Sequence, residues 1–358
     1  MKTVLTTTGI SLLTNVAREL KKSGAAVTDE ELRFFLQKSD PVKATAETNS
    51  LLKIAQTYDE IIFLYTATAA GERCAKEIER YLQKQGWLNI RLRQLPLGSN
   101  ESHFERQGLR DLVNILIDEI TKAQREKREV IINATGGFKA EIAYTTLVGM
   151  IFEVPIKYIY QEFDQPITLP VLPISWNIDL LLEYESFFEW LDGEPRQEVD
   201  VNQRLKAMLE SDRNQILQIL LPPDGEGYIF LSPAGEILWK RVAQQRELAE
   251  LVENPPPSDI AVADKIADSI AEDKHHYPKG TLAFAQKLAK LDAVEEIIGG
   301  NFEPTLLRRV KRVDDDGTIR VLWADNEKAN NMTIRTTARG KAQTLRFCDR
   351  YVRPLLNS

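Results

Sequence analysis

"VIINATGGFKAEIAY", residues 130–144, is the stretch that decides the fold. Val130, Ile131 and Ile132 form a β-branched run that belongs in a buried strand. Asn133 to Gly137 then supply turn residues, and Lys139 opens a segment with helical spacing. A strand, a glycine-bearing turn and a helix in that order form the joint of an open α/β sheet, where ligands sit beyond the carboxyl ends of the strands. Working outward, the same alternation recurs. Apolar runs predict strands at 2–7, 60–67, 90–97, 155–162 and 167–174, besides 129–135. Helical patterns such as "AKEIERYLQKQ" and "LRDLVNILIDEITKAQREK" fall between them. The expected fold class for residues 1–178 is α/β, a Rossmann-like, mostly parallel sheet covered on both faces.

Two of these joints carry chemistry. After the first strand come Thr8, Gly9 and Ser11; after the fourth come Asn133, Thr135, Gly136, Gly137 and Lys139. Glycines let backbone N–H groups approach a phosphate, helix N-termini favour anions, and Lys139 adds a mobile positive charge. The pattern is neither GxxxxGK[ST], since Ala140 follows Lys139, nor GxGxxG, so a nucleoside triphosphate or NAD is not expected. The alternative is that the glycines only make a tight turn and Ser11 only caps a helix.

Beyond residue 178 the pattern changes. Residues 179–254 read as helices flanking a Pro/Gly turn, a short strand, a second turn and a helix ("PPDGEGYIFLSPAGEILWKRV"), a winged-helix-like order. "ENPPPSD", 253–259, reads as a stiff extended linker. A small α+β domain, 259–358, is expected beyond it. It would have two helices, the second running from Thr281 through Leu282, Leu288, Leu291, Val294 and Ile298 to a stop at Gly299-Gly300, followed by a β meander and a closing helix from Lys341. Alternation puts Ile319, Val321 and Trp323 on one face of the middle strand and Arg320 on the other; Thr333, Arg335, Thr337 and Arg339 share a face of the next strand.

Charge follows the same division. The chain carries a net −7. Residues 301–358 hold 12 Lys/Arg against 7 Asp/Glu, a net +5, and the first 300 hold 34 against 46, a net −12. An acidic body with a basic tail points to a polyanion as the tail's partner. The helices of the middle region balance acid against base, so they leave no footprint of a DNA reader. Cys74 and Cys348 match no metal-ligand spacing and fit reduced thiols of a cytoplasmic protein; no metal is expected. The Thr-broken start "MKTVLTTTGIS" reads as a strand rather than a signal peptide, and no long apolar run predicts a membrane span.

At this point a resemblance becomes specific. "TTTGISLLTN" (6–15), "ATAETNSL" (44–51), "FERQGLRDL" (104–112) and "INATGGFKAE" (132–141) together resemble the CARF domains of type III CRISPR accessory proteins over the first half of the chain. The resemblance implies a homodimer that binds a cyclic oligoadenylate ring, with cyclic tetra-adenylate expected from its twofold symmetry. Thr8, Gly9, Ser11, Asn133, Thr135, Gly136, Gly137 and Lys139 would line the ring site. It further implies ring-nuclease activity: a ribose 2′-OH attacks its own phosphate, and Ser11 and Lys139 stabilise the developing charge. A HEPN ribonuclease output is excluded, because none of His103, His275 and His276 has an Arg at the required upstream spacing.

Residues 259–358 instead resemble the RelE superfamily of messenger-RNA interferases, through the order of "LLRRVKRV", "GTIRVLW", "TIRTTARGK" and a C-terminal Tyr. That resemblance implies a metal-independent endoribonuclease acting on ribosome-bound mRNA. Arg320 and Arg339 would clamp phosphate, Arg308, Arg309 and Lys311 would orient RNA or transfer a proton, Lys341 would support them and Tyr351 would stack on a base. The competing readings are a ligand-controlled winged-helix regulator without nuclease activity, and a standalone ring nuclease.

Overall fold

A computed structural model describes the chain except residues 97–103, 138, 161–162, 172–177, 193, 273–276 and 358, and gives only the backbone of 105, 106 and 272. The three histidines lie outside the described residues. Two compact units result: Met1–Ser175 with Ser232–Ile237, and Trp176–Leu231 with Leu238–Ser358.

The first unit is built on six strands: β1 Lys2–Thr8, β2 Glu60–Thr66, β3 Ile90–Leu95, β4 Glu129–Asn133, β5 Ile156–Tyr158 and β6 Ile167–Leu169. Their order is β3-β2-β1-β4-β5-β6. The first five run parallel and β6 turns back antiparallel along β5. All six expected strands are present. The middle strands are buried on both faces: from Thr3 to Thr8 and from Ile61 to Thr66 every residue is buried, which is what a sheet with helices on either side demands. Chain order leaves β1 on one side toward β2 and returns on the other as β4. The crevice between the carboxyl ends of β1 and β4 is therefore the topological switch point.

The second unit carries β7 Arg196–Gln197 and β8 Tyr228–Ile229, a two-stranded antiparallel pair, and a four-stranded antiparallel sheet. The sheet comprises β9 Val294–Glu303, β10 Arg309–Val313, β11 Thr318–Ala324 and β12 Ala329–Thr336, in the order β10-β11-β12-β9. One apolar core joins Leu181, Phe188, Leu205 and Trp239 with Phe284, Val321, Ile334 and Phe347. Residues 179–254 and 259–358, expected as separate domains, thus share a core, and the proline linker runs along its surface without dividing it.

Two expectations at the residue level give way. The helix beginning at Thr281 ends at Ala289, and Val294, Ile297 and Ile298 lie in β9, which continues through Gly299 and Gly300. The apolar spacing fits a helix, but β-branched residues beside β12 gain more as a strand. β12 also ends at Thr336, so Thr337 and Arg339 leave the sheet; the Arg339 guanidinium turns to the Ala338 carbonyl at 2.9 Å.

Candidate functional site

The loops after β1 and β4 meet at one point. Thr7 Oγ1 donates to the Gly136 carbonyl at 2.5 Å, which ties strands 129 residues apart. Gly136 is required by close approach: a Cβ there would stand 2.7 Å from Glu47 Oε1 and 2.8 Å from the Thr7 carbonyl oxygen. Gly137 is required by its backbone, with φ at 100° in the left-handed region, and a Cβ would run into Glu141.

Glu47 is the residue that organises this point. It stands in the first turn of the helix Ala46–Ile54, capped by Thr45, whose side chain accepts the Thr48 N–H at 2.9 Å. Its carboxyl is fully buried, accepts the Gly9 N–H at 2.9 Å through Oε1 and the Ser11 hydroxyl at 2.9 Å through Oε2. Burial pushes its pKa up, while the Gly9 N–H and the Ser11 hydroxyl work in the opposite direction. Ser11 Oγ in turn accepts the Ala46 N–H at 3.3 Å. The one hydroxyl proton of Ser11 and the amide of Gly9, both expected to face a phosphate, are committed to Glu47.

The other expected residues divide into frame and face. Thr8 and Asn133 are buried; Asn133 donates to Ser50 Oγ at 2.8 Å and accepts from Thr135 at 2.7 Å. Thr135 Oγ1 also accepts the Ile159 N–H at 3.2 Å, joining β4 to the end of β5. Lys139, first residue of the helix Lys139–Ile151, is exposed and makes no ion pair among the described residues.

Beside this frame lies a polar cavity of about 310 Å³ at the carboxyl ends of β1, β4 and β5. Ser11 and Thr135 line it, as do Asn15, Lys43, Asn49 and Tyr158. Asn49 is 3% exposed and its Oδ1 has no hydrogen-bond partner. A buried amide oxygen left unpaired at a cavity wall is a donor-seeking group, costly unless something fills it. Sequence reasoning missed Glu47 and Asn49, although both lie in the segment "ATAETNSL"; nothing in that pattern says which way they point.

In the second unit the expected ribonuclease residues scatter. Arg309 is 5% exposed, donates to Glu183 Oε1 at 2.6 Å and Glu303 Oε1 at 2.5 Å, and lies over the Tyr184 ring. Lys311 pairs with Glu303, and Lys341 with Asp179 at 3.0 Å. Arg308 stacks on Trp323 with its guanidinium carbon 3.8 Å from the ring centre. Arg320, with 56% of its side chain exposed, stays open. Tyr351 packs on Phe347 and is 3.4 Å from Asn254 Nδ2, away from β10 and β11. The ion pairs fall into two sets, Arg309 with Lys311 through Glu303, and Lys341 with Arg312 and Arg320 through Asp179 and Asp314; Arg339 and Tyr351 stand outside both.

Residues 42–172 match the model of the family described as CRISPR-associated protein (Cas_APE2256). That match spans the Glu47 helix, the "NATGGFK" joint and most of the cavity wall. Among solved structures, Can2 from Sulfobacillus thermosulfidooxidans in complex with cyclic tetra-adenylate aligns at 14% identity over 70% of this chain and 67% of its own, with a TM-score of 0.26. Protein VC1899 from Vibrio cholerae aligns at 9% identity over 94% of this chain and 77% of its own, with a TM-score of 0.29. Neither alignment bears on the argument at such values. Among the described residues no helix is long and apolar enough to cross a membrane, and no group of three or more His, Cys, Asp or Glu could hold a metal ion.

Proposed function

We propose that the first unit is a CARF domain that binds a cyclic oligoadenylate, cyclic tetra-adenylate above all, and that binding switches on a metal-independent, RelE-like ribonuclease in the tail. The observation that carries the reading is the polar cavity at the switch point, with the unpaired Asn49 carbonyl in its wall and Lys43 and Arg18 at its lining. On a turn of the Asn49 side chain toward the cavity an adenine amino group would satisfy its oxygen, and the cations would meet ring phosphates. The match of residues 42–172 to a CRISPR-associated family supports the same assignment. In a homodimer two such cavities would share one twofold ring. Lys139 is the candidate cation for slow cleavage of the ring.

Calorimetry with cyclic tetra-adenylate tests the binding. Asn49→Ala weakens it by about threefold to tenfold, the worth of one hydrogen bond. No heat with cyclic oligoadenylates of any ring size overturns the reading. Addition of the ring to translating ribosomes tests the output: mRNA cleavage that Arg320→Ala abolishes supports a nuclease. A second reading, a regulator without nuclease activity, draws on the ion pairing of Arg309, Lys311 and Lys341. Intact mRNA in that assay selects it.

A further inference from the structure

The tail sheet has a cationic face, and a short acidic helix beside its edge strand pairs with several of the cations. Register fixes the face: Arg312 stands opposite Arg320, and Arg309 opposite Leu322, so alternation along β11 puts Arg309, Arg312 and Arg320 on one side. Ile319, Val321 and Trp323 take the other side and join the core. The helix Asp179–Glu183 packs along the edge strand β10, with Leu181 and Leu182 in the core and its acidic ends reaching the cations. Its two ends each deliver a carboxylate. Asp179 reaches Lys341 Nζ at 3.0 Å and Arg312 Nε at 3.7 Å, while Glu183 holds Arg309 Nε at 2.6 Å.

The sheet's own acids do not balance its cations. Glu303 pairs with Arg309 and Lys311, and Asp314 with Arg312, while Arg320 Nε lies 3.8 Å from Asp314. Five cations (Arg309, Lys311, Arg312, Arg320, Lys341) against these two carboxylates and Asp316, which faces Arg312 and Arg320, leave a net +2. Adding Asp179 and Glu183 brings it to zero. The helix therefore supplies two of the negative charges that a chain of phosphates would bring, at the place where that chain would lie.

We propose that the helix Asp179–Glu183 is a built-in competitor for RNA: Asp179 occupies Lys341 and Arg312, and a single-stranded RNA backbone gains those two cations only when Asp179 gives them up. The inference rests on the reading that this face handles RNA. The helix is the first of the second unit in chain order, directly downstream of the proposed ring-binding unit. Release of Asp179 is the local event that activation would have to produce, because a cation already neutralised at 3.0 Å contributes little to a phosphate contact.

The test uses the full chain, no cyclic nucleotide and a short unstructured RNA with a fluorescent 5′ label, read by anisotropy over a range of KCl concentrations. Asp179→Asn keeps the shape and removes the charge. It tightens RNA binding by about threefold to tenfold at low salt and steepens the dependence of log Kd on log salt by about 0.7 to 1.4, one or two added phosphate contacts. Lys341→Ala placed on top of Asp179→Asn reverses part of the gain. Arg320→Ala in the otherwise unchanged chain tests the parent reading, since Arg320 is exposed and makes no ion pair with Asp179 itself. If Arg320→Ala weakens RNA binding while Asp179→Asn leaves affinity and salt slope unchanged, the face binds RNA and the competitor is refuted. If Arg320→Ala changes nothing, or no RNA binds to any variant, the RNA reading falls and takes the competitor with it. A melting curve of Asp179→Asn that coincides with the parent's shows that the affinity change is not a folding effect.

Discussion

Replacing Gly136 by Ala adds one methyl group at a crowded point of the first unit. The new Cβ would stand 2.7 Å from Glu47 Oε1 and 2.8 Å from the Thr7 carbonyl oxygen, closer than carbon and oxygen pack. Thr7 O belongs to the central strand β1 and cannot yield, so the turn at residue 136 must shift away from it and the Glu47 carboxyl must move too. Forcing a methyl into a packed site costs about 1–3 kcal/mol. In a domain of this size each kcal/mol lowers Tm by about 2–4 °C, which gives a fall of roughly 2–12 °C. Gly24→Ala is the control, since its Cβ meets only Leu13 Cδ2 at 3.7 Å, an ordinary contact. Thermal melts followed by circular dichroism compare the three proteins, and calorimetry then measures cyclic tetra-adenylate binding to each. A shifted Glu47 also releases Ser11 and Gly9, so the loss of affinity in Gly136→Ala exceeds what the stability change accounts for. The reasoning is refuted if Gly136→Ala melts within about 1 °C of the parent, a difference well under 1 kcal/mol.

Further outcomes follow from the same geometry. Burial holds the Glu47 carboxyl above its ordinary value, so the folded state binds that proton more tightly than the unfolded chain. The associated stability is complete below the unfolded carboxylate pKa of about 4.3 and is lost as pH rises toward the folded value. Glu47→Gln abolishes this loss, so its urea midpoint gains on the parent's as pH climbs from about 4, and a gap that stays constant with pH counts against the assignment. Asn330 on β12 is fully buried with neither amide atom hydrogen bonded. Asn330→Leu, of similar shape, stabilises the second unit by about 1–3 kcal/mol in urea melts; a destabilised variant means the amide has a use.

The fold of the first unit is legible because β2 and β4 are compact apolar runs, β1 and β3 keep β-branched or alternating apolar residues, and helical patterns fall between them. The candidate site is legible only as a place. Two glycine-bearing turns mark where the loops approach, and Gly136 and Gly137 are indeed demanded by contact and by φ. What fills the space between them is Glu47, and an acidic residue in the first turn of a helix reads in sequence as a complement to the helix dipole. Its inward direction depends on the Gly9 amide 38 residues upstream. The tail shows the same asymmetry. Alternation along β11 places Arg320 outward, whereas the burial of Arg309 depends on Glu183, 126 residues away, which no local pattern announces. In β9 the helical spacing of Leu288, Leu291, Val294 and Ile298 competes with strand pairing to β12, and the tertiary partner wins.

The bond from Thr7 to Gly136 has a consequence for how the chain is born. β1 leaves the ribosome ahead of both its partners, and β2 covers one of its edges after some fifty more residues. The opposite edge waits for β4, which begins at Glu129. During that interval a buried-type, Thr-rich strand offers bare amides and carbonyls to any passing segment, and contacts of such long sequence separation close slowly. Nascent copies are therefore most exposed to mispairing with one another before Asn133 emerges, and a chaperone that shields β1 would have its greatest effect there.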